Sequence, residues 1–436
     1  MGFAGLPYSI RPEYDILLAM TLSEELQWRG LLKDKTFDDV TWLDTPRTFY
    51  LGSDASADSL TIGNLAIYMV ARHLAAHGWK AVLLMGGATS RIGDPGGKNE
   101  ERELKSVEEV EQNIAGVAGQ VKRIFADLEF EPVNNYEWFR DINFLDFLRD
   151  VGKHYSMTEL VQRDFIATRM GEGGSGISYA EFSYNLIQGY DYWHLFKNKG
   201  VELQIGGSDQ WGNMLSGVPL IRKKEGKEVH AFSMPLVIDK ATGKKFGKSE
   251  AGAVWLDPAK TTPTQFYQFW INCDDEYVEE YLKIYTFLSK EEIDALTEEH
   301  HKDPKERRAQ WTLAEEVTKL VHGDTNTGTA RVITNILRER TPIDGVNPEI
   351  FEALRKEIPS LRLSRGWDIV NALAETGLAS SRTEARRLLK ENAISVNGEK
   401  VQRDTFEESD FQNGRLLLRK GKAFKDSALI ERVEHL

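Results

Sequence analysis

The chain of 436 residues holds one cysteine, Cys273. That excludes an internal disulfide and a cysteine-built zinc site, and makes a reducing cytoplasm the expected compartment. No uninterrupted apolar run reaches about 18 residues. Arg11, Glu13 and Asp15 break the N-terminal apolar stretch, so neither a membrane span nor a signal peptide is expected. Surplus positive charge is also missing: the net charge of −13 argues against a protein that simply coats nucleic acid. The deficit is uneven, because from Leu361 onward 14 basic residues face 12 acidic ones, +2, which leaves −15 for the rest. A less acidic tail points weakly to a polyanion, beside ordinary surface variation. No nucleophilic triad stands out, and the nine histidines offer no metal site. His73 and His77 stand at i and i+4 on an expected helix without a nearby carboxylate or cysteine, and read as packing or surface residues.

The length suffices for two or three domains, each with a real core. Residues 1–46 read as an N-terminal extension with a helical segment over Leu22–Leu32. Residues 47–256 read as an α/β domain, 257–350 as an all-helical one with segments such as Glu291–His301 and Thr312–His322, and 365–436 as a small α+β unit after a proline-bearing connector. Tyr50 to Asn64 has the grammar of strand, tight polar turn and helix start: strand over Phe49–Leu51, Asp58 or Ser59 as N-cap, and an amphipathic helix over Leu60–His77. Small residues at Gly52, Ser53, Ala55 and Gly63 let a ligand approach the backbone.

Lys80–Leu84 and Val201–Ile205 read as further buried strands. The first runs into the glycine-rich loop Gly86–Lys98, which fails the Walker spacing at Ile92 and is either a phosphate cradle or a plain connection. The second ends in Gly206-Gly207-Ser208-Asp209-Gln210-Trp211-Gly212-Asn213. Three glycine-marked strand ends, at Gly52, Gly86 and Gly206, imply one crevice at the carboxyl edge of a parallel sheet. Residues 99–170 read mostly as helices, with a turn at Asn134-Asn135-Tyr136, followed by the glycine-rich loop 171–176. Glu181, Tyr184, Gln188 and Asp191 then fall on one helix face, either its wet face or a set of hydrogen-bonding groups for a small polar ligand. Asp239–Ser249 packs four lysines among glycines, as a solvated run or as a phosphate clamp. Near the end, Ser380 or Ser381 caps a helix bearing Arg382, Arg386 and Arg387, and a hairpin turns at Asn397-Gly398. Those arginines suit RNA phosphates or a solvated surface.

Together these stretches resemble the bacterial tyrosyl-tRNA synthetases, class I aminoacyl-tRNA synthetases, from about Leu22 to Arg432. Gln204–Asn213 matches that family's Gln-Ile-Gly-Gly-Ser-Asp-Gln-Trp-Gly-Asn residue for residue, and Lys245-Phe246-Gly247-Lys248-Ser249 matches the loop of its second signature. The resemblance implies a Rossmann-like parallel-sheet nucleotide-binding domain with a helical insert, an α-helical anticodon-binding domain and an S4-like RNA-binding domain. It implies activation of L-tyrosine by ATP with Mg2+ and no organic cofactor, transfer to tRNA(Tyr), a cytoplasmic homodimer joined through the insert at roughly 130–180, and no membrane partner. It implies that Tyr50 and Asp191 meet the phenol hydroxyl, that Asp94, Tyr184 and Gln188 hold the ammonium, and that Gln204 serves the carboxylate side. Gly52, Asp54, Gly63, Asp209 and Gln210 fall to ATP and its ribose, Lys245 and Lys248 to the pyrophosphate, and Arg382, Arg386 and Arg387 to RNA.

The pattern departs from the family at Thr61 and Asn64, where histidines are usual, at Leu51 in place of a common cysteine, and at Ala55 and Ser56 in place of proline and threonine. Asn64 can donate through its amide and Thr61 through its hydroxyl, so adenylate formation is expected to survive. A tryptophan-specific sister enzyme, a paralogue that only binds RNA and an unspecified nucleotide-binding protein are the competing readings. Tyr50 with Asp191, the lysine loop and the Gln204–Asn213 match weigh against them in turn.

Overall fold

The computed structural model describes residues 20–94, 105–161, 164–171, 174–239, 244–246, 248–249, 252–338, 343, 346–363, 368–421 and 426–432. Parts of three loops read from the sequence, residues 95–98, 172–173, 240–243 and 247, lie outside that set. The chain divides into two compact units, one of residues 1–261 with 274–309 and one of residues 262–273 with 310–436.

The first unit is built on five parallel strands in the order β3-β2-β1-β4-β5: β1 (Thr48–Ser53), β2 (Lys80–Met85), β3 (Phe130–Asn134), β4 (Val201–Gly207) and β5 (His230–Met234). The middle strands are buried apolar runs, as a sheet covered on both faces requires. The order reverses between β1 and β4, whose carboxyl ends are therefore where a parallel sheet leaves a crevice. Tyr50 sits at that switch, flanked by Val82 on β2 and Gln204 on β4.

Two strands escape a reading by hydrophobic pattern. β3 is an edge strand within the stretch expected to be helical; its Pro132 is exposed, and Glu131 pairs with Lys199. β5 forms the other edge. Residues 33–36 run alongside it, with Lys33 N–H donating to Ser233 O at 2.8 Å and Thr36 N–H to Ala231 O at 3.0 Å. The N-terminal segment thus covers an otherwise open edge.

Helix α1 (Leu22–Trp28) opens on a capping box in which Thr21 N–H donates to Glu24 Oε2 at 2.9 Å. Its buried Glu25 accepts from Arg29 at 2.9 Å and lies 3.2 Å from His73 and 3.5 Å from His77. A carboxylate 48 residues away in sequence, invisible to a local reading, therefore stands beside the histidine pair. Arg29 also donates to the carbonyls of Lys283, Thr286 and Leu288. Both histidines remain packing residues.

Helix α2 (Ile62–Ala76) starts later than expected, with Thr61 rather than Asp58 or Ser59 at its N-cap. Ser59 is already engaged: its hydroxyl donates to Leu60 O and accepts from Gln120 Nε2, both at 2.9 Å. Residues 60–62 meanwhile pair with 254–256, with Leu256 N–H to Leu60 O at 2.9 Å and Ile62 N–H to Val254 O at 3.1 Å. This pairing holds Leu60 and Thr61 out of the helix.

Helix α3 (Val107–Ile124) holds the turn after β1 through Asn113 to Ala55 O and Gln120 to Ser59, α4 (Tyr179–Lys199) packs on β4, and α5 (Val278–Tyr285) packs against α2. α4 begins at a Ser178–Glu181 capping box and ends at Gly200 in the left-handed conformation, φ 65°.

In the second unit, helices Pro263–Ile271, Arg308–Leu337 (broken at Gly323) and Pro348–Glu357 precede a five-stranded sheet. Strands Arg415–Lys420 and Ser427–Arg432 send Leu417 and Leu429 toward Ile333, Ile336 and Phe351, and Leu416, Leu418, Ala428 and Ile430 into a core with helices Ile369–Glu375 and Arg382–Lys390. The period-two alternation thus serves two cores at once. Ser381 caps the arginine-bearing helix, and Asn397 and Gly398, both at positive φ, turn the hairpin as expected.

Candidate active site

A cavity of about 410 Å³ opens at the carboxyl ends of β1 and β4. Tyr50, Gly52, Asp54, Thr61, Gly63, Asn64, Asp94, Tyr184, Gln188, Asp191, Gln204, Asp209 and Gln210, expected to share one site, all line it. Gly206 lines it too. Gly86 stands behind: a Cβ there would fall 2.2 Å from Asp54 Oδ1 and 2.3 Å from Thr89 Oγ1, so this strand end must be glycine for those side chains to meet.

Asp191, projected from α4, is a buried carboxyl. Trp138 Nε1 donates to its Oδ1 at 2.9 Å and Asn135 Nδ2 to its Oδ2 at 3.1 Å. Burial pushes its carboxyl up to about 8, although these two donors pull the other way. Nearby, the Tyr50 hydroxyl is buried with no protein partner. Burial and the neighbouring Asp191 raise that phenol well above its ordinary value, so Tyr50 is a neutral hydroxyl at pH 7. Asn135 and Trp138 escaped the sequence reading. Their only signal was an asparagine turn at the end of a strand that had not been recognised.

Two further carboxylates stand above. Asp54 accepts from Thr89 Oγ1 at 2.6 Å and from Tyr184 Oη at 2.9 Å. Although the resemblance groups Asp54 with the nucleotide contacts, it borders the tyrosine set as well. Asp94 accepts from Gln210 Nε2 at 2.6 Å and Asn213 Nδ2 at 3.1 Å. Gln188 Oε1 and Gln204 Oε1 are buried acceptors with no protein partner. Among the described residues no lysine or arginine lines the cavity. Carboxylates, a phenol and open amide acceptors therefore face one another, which suits a ligand that brings a cation and hydrogen-bond donors.

At the cavity mouth, Asn64 Oδ1 accepts from Thr61 N–H at 3.0 Å and from Thr61 Oγ1 at 2.9 Å. That pairing orients the Asn64 amide at the first turn of α2, where backbone N–H groups and the helix dipole favour an anion. Lys245 and Lys248 fall in the short strands Lys244–Lys245 and Lys248–Ser249, and their side chains lie outside the described residues. Phe246 between them lines the cavity. Glu181 shares the helix face with Tyr184 and Gln188 but is spent on a buried ion pair with Arg169, 2.8 Å away.

Arg382, Arg386 and Arg387 lie exposed on the second unit, apart from this cavity in sequence and unit. Arg387 pairs with Glu391 at 2.9 Å. Among the described residues no group of three or more His, Cys, Asp or Glu is arranged to hold a metal ion, and no helix is long and apolar enough to cross a membrane.

Known proteins resemble this chain along most of its length. Residues 44–338 match the family model of class I tRNA synthetases for tryptophan and tyrosine, and residues 349–425 match the C-terminal domain of tyrosine–tRNA ligases. The chain is 42% identical to the tyrosine–tRNA ligase of Lactobacillus johnsonii over 426 residues, covering 94% of this chain and 97% of that protein. It is 43% identical to that of Escherichia coli, covering 94% and 98%. A C-terminally truncated mitochondrial tyrosyl-tRNA synthetase from Aspergillus nidulans superposes with a TM-score of 0.65 at 31% identity, over 72% of this chain and 93% of that one.

Proposed function

This chain belongs to the class I tRNA synthetases and, within them, to the tyrosine–tRNA ligases, and we propose how its own residues perform that ligation. Tyrosine enters side chain first. Its phenol hydroxyl exchanges hydrogen bonds with Tyr50 and Asp191, its ammonium lies among Asp94, Tyr184 and Gln188 with Asp54 behind Tyr184, and Gln204 serves the carboxylate side. The observation that carries this reading is the buried, unpartnered Tyr50 hydroxyl beside an Asp191 whose oxygens are already held by Trp138 and Asn135. A phenol hydroxyl gives Tyr50 its missing partner and adds a bond to Asp191, whereas phenylalanine leaves the Tyr50 hydroxyl unpaired.

A tyrosine carboxylate is ionised at pH 7, so its attack needs alignment rather than a general base. One carboxylate oxygen bonds to the α-phosphorus of ATP as the bond to pyrophosphate breaks. Gly52, Gly63, Asp209 and Gln210 hold the nucleotide, and Thr61 holds Asn64 so that the Asn64 amide N–H donates to its phosphates or ribose. Lys245 and Lys248 stabilise charge on the departing pyrophosphate, which Mg2+ arriving with ATP shares. The tyrosyl group then passes to the 3′ end of tRNA(Tyr), while Arg382, Arg386 and Arg387 meet RNA phosphates. On this reading residues 47–256 are catalytic, 257–350 bind the anticodon and 365–436 bind RNA.

We further propose a cytoplasmic homodimer. Phe144, Leu145, Met157, Met170 and Tyr179, all in or beside the 130–180 insert, are 56–71% exposed, an apolar surface suited to a second copy. Sedimentation equilibrium showing a monomer at micromolar concentration would remove this part. The central test is tyrosine-dependent ATP–pyrophosphate exchange with Mg2+, followed by tRNA charging. No exchange leaves a protein that only binds RNA, and exchange driven by tryptophan instead of tyrosine points to the sister specificity.

A further inference from the structure

Phe246, between the two lysines, packs on aromatic rings that the sequence reading did not connect with the site. Its ring centroid lies 4.3 Å from that of Tyr281 with the planes 30° apart, and 6.0 Å from that of Tyr285. The two tyrosines are one turn apart on α5, and both are buried. Tyr285 reaches further: its hydroxyl donates to the carbonyl of Ile62 at 3.1 Å, in the first turn of α2. The Phe246 carbonyl lies 3.4 Å from where a Cβ on Gly63 would stand. Beyond the lysines, Val254 O accepts from Ile62 N–H. The chain between the two lysines and beyond them is therefore tied to the helix turn that carries Thr61, Gly63 and Asn64.

We propose that Tyr281 and Tyr285 are positioning residues for adenylate formation. They seat Phe246, and with it the backbone bearing Lys245, against the first turn of α2, so that the lysine segment and the Thr61–Asn64 turn meet the nucleotide at a fixed spacing. Neither tyrosine lines the cavity, so each acts through Phe246 or Ile62. The tilted Phe246–Tyr281 ring contact, 4.3 Å between centroids, sets how far the lysine segment stands from α5. The proposal rests on the reading that Lys245 serves the departing pyrophosphate.

The test uses the full chain and measures single-turnover tyrosyl-adenylate formation alongside tyrosine binding. Tyr281→Leu, which removes the ring, should slow adenylate formation about tenfold or more at saturating ATP, as expected of a misplacement near 1 Å. Tyrosine affinity should stay within about twofold, because the tyrosine contacts are untouched. Tyr281→Phe should restore most of the rate. Phe246→Leu should reproduce the loss, and the double variant should be little worse than either single one. A wild-type rate in Tyr281→Leu, or fully additive losses, overturns the proposal. If Tyr281→Leu does not fold, Phe246→Leu decides alone, with a wild-type rate overturning it. Absence of tyrosine-dependent exchange in the unaltered protein would instead overturn the functional reading beneath it.

Discussion

Replacing Tyr50 by phenylalanine should move the stability of the free protein and its affinity for tyrosine in opposite directions. The Tyr50 hydroxyl is buried with no protein partner, on a side chain only 1% exposed. A buried unsatisfied hydroxyl costs about 1–3 kcal/mol. Its removal should therefore stabilise the free protein by up to that amount, a rise of roughly 2–5 °C in the melting midpoint of a unit this size. With tyrosine bound the same hydroxyl has a partner, and a neutral hydrogen bond contributes about 0.5–1.5 kcal/mol net. Tyrosine should then bind about 2- to 13-fold more weakly. Phenylalanine affinity should stay nearly unchanged, since Tyr50 is unpaired both in the free protein and beside a phenyl ring, so discrimination should narrow by the same roughly 2- to 13-fold. Calorimetric melting of the free protein, tyrosine titration and pyrophosphate exchange with each amino acid would measure the three quantities. A Tyr50→Phe protein that melts several degrees lower, with tyrosine affinity and discrimination unchanged, would refute the reasoning and make Tyr50 a structural hydroxyl.

Asp191→Asn keeps the shape but turns an amide N–H toward Trp138 or Asn135, which are both donors. Tyrosine-dependent exchange should fall by about 10²-fold or more and discrimination against phenylalanine should shrink, and wild-type exchange kinetics would remove Asp191 from the pocket. Burial holds the His73 imidazole down at about 4, against an ordinary 6.5, despite the pull of Glu25. The unfolded chain then binds more protons between those values, so stability present above about pH 6.5 should be lost as pH falls toward 4, by about 3 kcal/mol. Denaturant titrations at stepped pH would read this slope, and His73→Gln should flatten it. Truncation before residue 365 should leave pyrophosphate exchange intact and abolish efficient tRNA charging. Because it also strips Leu417 and Leu429 from Ile333, Ile336 and Phe351, the stub should lose solubility. Exchange and charging falling together would tie the tail to catalysis itself.

Much of the architecture was legible because it is written in local chemistry. Buried strands are continuous apolar runs, Ser381 and the Asn397-Gly398 turn carry their own conformational preferences, and glycine marks the places where backbone and side chains approach closely. Where local chemistry is ambiguous, the reading slipped. Phe130–Asn134 is short, contains Pro132 and lies at an edge, so its burial comes from neighbours and not from its own pattern. Ser59 has the composition of an N-cap, but Gln120 on α3 claims it and the pairing of residues 60–62 with 254–256 delays the helix to Ile62.

The types of group in the site, and their place at strand ends and on one helix face, were determined by the sequence itself, because spacing along a strand or helix fixes which residues share an edge or a face. Which group meets which was decided only by the tertiary structure. Tyr184 reaches Asp54 across 130 residues, Gln210 reaches Asp94 across 116, and Trp138 and Asn135 grip Asp191 from a strand end that the sequence did not advertise. Desolvation and through-space charge depend on those distant contacts. They make Asp191 a carboxyl poised near pH 8, leave the Tyr50 hydroxyl waiting for a partner, and set Glu25 beside two histidines that looked alone.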